Sequence, residues 1–190
     1  YLKEILNHYS RVEIHLAGSL IAGDDWGKHQ ARIKKIPLVN WQSLPSVLAK
    51  FDINLAPLIH DNPFNQSKSE IKYMEAGLVK IPSVTSSTDS FNYAIQSGVN
   101  GIVINQEEEW FTALSMLIEN QENRQQMGEN AYQHVIENYH PFCRAQELLD
   151  TLEQATSRNF HTKSSDTIQI TSNFNRSHPD NQARMMRLDL

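Results

Sequence analysis

Apolar residues along this chain follow two alternating rhythms. Five short runs have strand character: "VEIHLAG" (12–18), "IPLVNW" (36–41), "FDINLAPL" (51–58), "IPSVTS" (81–86) and "GIVIN" (101–105). Between them, apolar positions repeat at helical spacing. "YLKEILNHY" (1–9) puts Leu2, Ile5, Leu6 and Tyr9 on one face. "LPSVLAKF" (44–51) carries Pro45 in its first turn, and "SEIKYMEAGL" (69–78) spaces Ile71, Met74 and Leu78. After Gly101 the pattern is purely helical, over 107–119, 122–137 and 142–155. Strands alternating with helices predict βαβ units, a parallel sheet and helices on both faces. The expected fold is a Rossmann-like, doubly wound α/β lobe, whose ligands bind in loops beyond the carboxyl ends of the strands.

Both ends depart from that rhythm. The chain opens on a helix with no strand before it, so the expected lobe is incomplete at its N-terminus. From Thr156 onward Ser, Thr, Asn, Asp and Arg predominate without a sustained helical period. The expected division is a lobe over 1–155 and a disordered tail or linker over 156–190, where "TIQI" could form an isolated strand.

Composition narrows the class. At 190 residues, 39% of them hydrophobic and 21% charged, the chain is long enough for one domain with a real core. A net charge of -5 argues against a nucleic-acid partner. No apolar run approaches the ~20 residues that span a bilayer, and no secretory leader is legible. Cys143 is the only cysteine, which points to a reducing, cytoplasmic setting and to a thiol that serves as a small core side chain.

The stretch "NPFNQSKSEIKYMEAG" (62–77) concentrates the candidate chemistry. Ser67 and Glu70 fit a capping box, S-x-x-E, that would start the helix. Lys68, Lys72 and Glu75 are spaced i, i+4, i+7 and so share one helical face. One account is a solvated face with an ion pair worth a few tenths of a kcal/mol. The other is a phosphate site, because cations oppose the macrodipole at a helix start unless an anion joins them. The polar loop "IHDNPFNQ", on the ligand side of such a sheet, favours the second. No His/Asp/Glu cluster has metal-ligand spacing.

These segments, taken in order, resemble the group 1 glycosyltransferases of the GT-B fold, which have two Rossmann-like lobes. "NQSKSEIKYMEAGLVKIPSVTS" looks like the family's signature helix and following strand, with Glu75 seven residues before Pro82. "FDINLAPL" is similar to the strand ahead of it. "NYAIQSGVNGIVI" is similar to the E-x-I-x-x-G-x-x-G-x-L segment. Arg124, Met127 and Gly128 keep the Arg-x-x-Met-Gly spacing of the closing helices. The resemblance covers about residues 1–150 and implies the C-terminal, donor-binding lobe.

It also implies roles. Glu75 would hold the ribose hydroxyls of a nucleotide-sugar donor, since a carboxylate accepts from two vicinal hydroxyls. The second glutamate of the family's E-x7-E motif falls on Ser67, so that motif is half present. Lys68 and Lys72 would face the donor diphosphate, with Asn65, Ser67, Ser69 and Glu70 beside them among the donor-binding residues. Gly18 and Ser19 match the turn near the donor base, although Gly18 is equally a tight turn. Trp41 could stack on a base, but its pattern fits a core aromatic better. Asp89 or Ser90 is the expected cap of the helix after "TSSTDS". No metal or other cofactor is implied.

The partners implied are a nucleotide sugar and an N-terminal lobe outside this chain. That lobe, with the strand and loop before Tyr1, would carry the acceptor site and the cationic pair for the phosphates. The leading reading is therefore the donor lobe of a retaining glycosyltransferase acting on a glycan, lipid or small acceptor, inactive by itself. A degenerate glycosyltransferase-like binding module is the alternative, supported by Ser67. An unrelated doubly wound regulatory lobe fits the ordered motifs poorly.

Overall fold

A computed structural model describes residues 1–19, 26–59 and 62–160, with side chains as far as 156. Among the described residues five strands are formed: β1 (Ile14–Ala17), β2 (Ile33–Ile36), β3 (Asn54–Ala56), β4 (Ser83–Ser86) and β5 (Ile102–Ile104). The helices are α1 (Leu2–His8), α2 (Leu44–Leu48), α3 (Pro63–Gln66), α4 (Ile71–Gly77), α5 (Asp89–Ala94), α6 (Glu109–Glu119), α7 (Gln121–Tyr139) and α8 (Pro141–Phe160). A 3-10 segment over Gly27–Arg32 leads into β2. The chain divides into two compact units, Tyr1–Gln146 and Glu147–Leu190.

Every strand pairing among the described residues is parallel, as the alternation requires. β1 pairs with β2, and β3, β4 and β5 form a second ladder in that order. Strands β4 and β5 are buried along their whole length, the mark of a sheet covered on both faces. Their alternating side chains divide between two cores. Val84, Ile102 and Ile104 pack with Ile5 of α1, with Trp110, Leu114 and Leu117 of α6 and with Met127 of α7. Ala56 and Val103 face Tyr73 of α4, Phe91 and Ala94 of α5, and Ala131 and Val135 of α7. Helix α1 also serves β1 and β2, since Leu6 packs with Ile14 and Ile33. This is the doubly wound, Rossmann-like arrangement.

Several local expectations are corrected. The second strand runs over Ile33–Ile36, not 36–41, because Pro37 has no N–H to continue a ladder. Trp41 lies in the following loop, 78% exposed, and is not a core aromatic. Cys143 is exposed rather than packed. Helix α8 continues past 155 to Phe160, so the helical pattern does not stop where the composition changes. "TIQI" and the rest of 161–190 lie outside the described residues. In α8, Leu148, Leu149 and Leu152 are each more than half exposed.

The three motif residues of α7 have separate structural jobs. Arg124 donates to the carbonyl of Leu117 at 2.6 Å, closing the end of α6, and its guanidinium stands 3.5 Å from Asp52. Met127 is buried in the first core. Gly128 lies against the turn from α4 into β4, where Lys80 adopts a positive φ of 62° and its ammonium pairs with Glu129 at 2.7 Å.

Two histidines are held neutral by their surroundings. Asn100 donates its amide N–H to the Tyr73 hydroxyl at 2.9 Å, so the Tyr73 proton is directed to His134 Nδ1, also at 2.9 Å. Burial lowers the His134 pKa, partly opposed by Glu137. His29 Nδ1 accepts from Arg32 at 2.7 Å, leaving Nε2–H to donate to Asn7 at 2.9 Å. Burial lowers its pKa as well, helped by the charges of Arg32, Lys28 and Lys3. A histidine with a depressed folded pKa binds its proton more readily in the unfolded chain. Stability should therefore be full above about pH 6.5, the unfolded histidine value, and fall as pH drops below it. Thermal melts at pH 7.5 and 5.5 should show the lower midpoint at pH 5.5. Equal midpoints would contradict this account of the two histidines.

Candidate functional site

The loops past the carboxyl ends of the strands hold most of the candidate residues. The turn closing β1 contains Gly18 and Ser19. Gly18 has φ 90°, which a side chain would strain, and its amide donates to Ile36 at 3.0 Å to extend the β1–β2 ladder. A Cβ added there would lie 4.0 Å from Leu38 in the loop after β2. Trp41 stands further along that loop, its indole without a hydrogen bond or ring partner among the described residues.

The stretch after β3 folds differently from its local pattern. Asn62 caps a short helix, α3, by accepting from the Phe64 amide at 2.9 Å, with Pro63 in the first position. Ser67 ends that helix and donates its hydroxyl to Pro63 O at 3.0 Å. It therefore forms no capping box with Glu70. Helix α4 begins only at Ile71, and Glu70, its N-cap, makes no side-chain capping bond. The Glu70 carboxylate instead accepts from the Tyr139 hydroxyl on α7 at 2.8 Å. Burial pushes the Tyr139 pKa up, and the bond to Glu70 adds to the rise.

Lys68 consequently lies in the turn before α4 and not on its face. Its ammonium stands 5.1 Å from the centre of the Phe64 ring, a cation–π contact. Lys72 and Glu75 do share a helix face and form an i, i+3 ion pair at 3.3 Å, with Glu75 the less exposed partner. Asn65 is buried and donates to Ile59 O at 3.1 Å, fixing the loop that leaves β3. Ser69 is exposed between these held neighbours.

The 62–75 stretch thus brings together Asn65, Ser67, Lys68, Ser69, Glu70, Lys72 and Glu75. Among the described residues, no hydrogen bond or ring contact joins Gly18, Ser19 or Trp41 to that group. No cluster of three or more His, Cys, Asp or Glu residues could hold a metal among the described residues. A cleft of about 510 Å³ lies elsewhere, against β5 and α6, and contains none of the candidate residues. Sequence reasoning missed three groups that shape the stretch: Asn54, which donates to Lys72 O at 3.2 Å, Ser90 and Tyr139. Helix α5 is capped by Thr88, which accepts from the Phe91 amide, rather than by Asp89 or Ser90.

Parallel strands, helices on both faces and polar loops past the strand ends define a Rossmann-like lobe. The model of the family described as glycosyl transferase-like matches residues 2–150, and the chain belongs to that family. Among curated proteins nothing matches. Solved structures share the fold at low identity. Anabaena HepE, solved in complex with UDP, aligns with TM-score 0.64 and 19% identity over 80% of this chain and 44% of its own. A mutant of S. aureus TarM, in complex with fondaparinux, alpha-GlcNAc-glycerol and UDP, aligns with TM-score 0.63 and 16% identity over 78% of this chain and 30% of its own. The C-terminal domain of a glycosyl transferase group 1 family protein, LpcC of Francisella tularensis, aligns with TM-score 0.55 and 19% identity, covering 72% of this chain and 74% of that domain. The chain thus spans less than half the length of HepE and TarM. Among the described residues, no helix is long and apolar enough to cross a membrane.

Proposed function

We propose that residues 1–155 form the donor-binding lobe of a retaining, hexosyl-transferring glycosyltransferase, working with an N-terminal lobe that supplies the acceptor site. Family membership over 2–150 supports this, as does the place of Lys68, Ser69 and Glu75 on the carboxyl-end loop and helix after β3. HepE was solved with UDP and with UDP-glucose, so uridine is the first base to test. Residues 156–190 would be a tail beyond the lobe, and the single cysteine suits a cytoplasmic setting.

In this reading Glu75 accepts from the ribose hydroxyls, exchanging its weak pairing with Lys72. Lys68 and Lys72 meet the diphosphate and stabilise the charge that grows as the sugar–phosphate bond breaks, with no metal taking part. Trp41, exposed in the loop after β2, offers a ring for the base. The observation carrying the reading is the Lys72–Glu75 pair on the exposed face of α4, directly after the Lys68–Ser69 turn. Glu75→Ala should weaken UDP binding about tenfold, the cost of charge-assisted hydrogen bonds, without weakening pyrophosphate binding, since Lys72 is then released from its partner. Calorimetric titration of both ligands checks this, and equal UDP affinity in the variant would remove Glu75 from the site.

A second reading, a degenerate assembly module that binds no donor, has one observation in its favour. Ser67 replaces the family's second glutamate and is occupied with Pro63 O. Absence of UDP binding by the chain joined to its N-terminal lobe would favour it.

A further inference from the structure

The turn between α3 and α4 is exposed, yet fixed from outside its own sequence. The Ser90 hydroxyl on α5 donates to Lys68 O at 2.6 Å. Ser90 also stands 3.2 Å from the Thr88 hydroxyl. Since the single Ser90 proton is committed to the carbonyl, Thr88 must donate to Ser90, while Thr88 Oγ1 accepts the Phe91 amide that starts α5. The α5 cap and the Lys68 backbone are therefore one hydrogen-bonded chain. Tyr139 holds the other end of the turn through Glu70, and Asn54 on β3 holds Lys72 O just beyond it. Ser69, between the two anchors, makes no side-chain bond to the rest of the lobe among the described residues.

We infer that Ser90 is a positioning residue for donor binding, fixing the Lys68–Ser69 turn from the neighbouring crossover so that its polar groups meet the donor diphosphate already ordered. The inference rests on the donor reading above. Its physical basis is preorganisation: a short turn that must order on binding loses affinity to conformational entropy, whereas one held in place does not. Ser90 touches no donor in this account and acts only through the Lys68 carbonyl. Tyr139 has the same role from the opposite side, with Glu70 as its point of attachment.

The test uses the 190-residue chain and two readouts. Amide relaxation gives backbone order without any ligand. In Ser90→Ala, Lys68–Glu70 should fall from an order parameter of about 0.85 to below about 0.6, with Ile71–Gly77 unchanged. Titration with UDP should then show a Kd about tenfold weaker, the loss of one hydrogen bond's ordering. Ser90→Thr, which keeps the hydroxyl, should restore both. Tyr139→Phe, which keeps the ring, should loosen Glu70 in the same way. Unchanged order at 68–70 in Ser90→Ala overturns the inference. A loosened turn with unchanged UDP affinity also overturns it, since the bond would then be structural only. If the unaltered chain and the chain joined to its N-terminal lobe both ignore UDP, the donor reading fails, while the relaxation result still decides whether Ser90 holds the turn.

Discussion

Gly128→Ala should destabilise the lobe by about 2 kcal/mol, although alanine is the better helix former. A Cβ at this position would stand 2.1 Å from Lys80 O, 2.8 Å from Lys80 C and 3.3 Å from Pro82 Cδ. The nearest atoms are backbone, so no rotamer change relieves the clash. Helix α7 must move away from the α4–β4 turn, and in doing so it strips contacts from Met127, Ala131 and Val135, all buried. Intrinsic propensity would favour alanine by about 1 kcal/mol. Overpacking typically costs about 1–3 kcal/mol and more when only backbone can yield, so the steric term wins. Chemical denaturation should show a lower midpoint at similar slope. Equal or greater stability would mean that α7 does not approach the turn as described.

Arg32→Ala is the second large expected effect, at about 2–4 kcal/mol. The Arg32 guanidinium donates to the carbonyls of Leu6, Tyr9 (2.7 Å), Ser10 (3.2 Å) and Val12 (3.3 Å), and to His29 Nδ1. It thereby gathers carbonyls from the last turn of α1 and from the segment between α1 and β1, and ties them to the segment entering β2. Charge-assisted bonds contribute about 1.5–3 kcal/mol each where buried, and a cation at a helix C-terminus adds up to ~2 kcal/mol. Partial exposure of the group keeps the total to the range given. Lysine cannot reproduce a planar fork reaching several carbonyls, so Arg32→Lys should recover less than half the loss. A thermal midpoint lower by about 10 °C is expected for Arg32→Ala, and a shift within about 2 °C would refute this role.

Legibility in the sequence followed burial. β4 and β5 are covered on both faces; the apolar run of β5, and Val84 and Thr85 within β4, announce them. β2 reads "IKKI", with only Ile33 buried, so its polar middle hides it while the exposed Leu38 and Trp41 beyond Pro37 attract the assignment. α3 and α5 are shorter than two turns, too brief for a helical period to show. At Ser67–Glu70 the pattern allowed two helix starts. Asn62 and Pro63 took the first, which left Ser67 as an end and Glu70 available to Tyr139. Within the candidate site, the residue types around Lys68 and Glu75 were readable because charge in a ligand-side loop is a local signal. Ser90 and Tyr139 were not, because what matters about them is a partner 22 and 69 residues away.

The most direct test of the donor reading is an amide NMR titration with UDP, GDP and ADP, run on this chain and on the chain joined to its N-terminal lobe. The account predicts saturable shifts at Asn65–Glu75 with UDP, weakened in Glu75→Ala, and smaller responses to the purine nucleotides. Flat titrations of both well-folded proteins with all three nucleotides would contradict it.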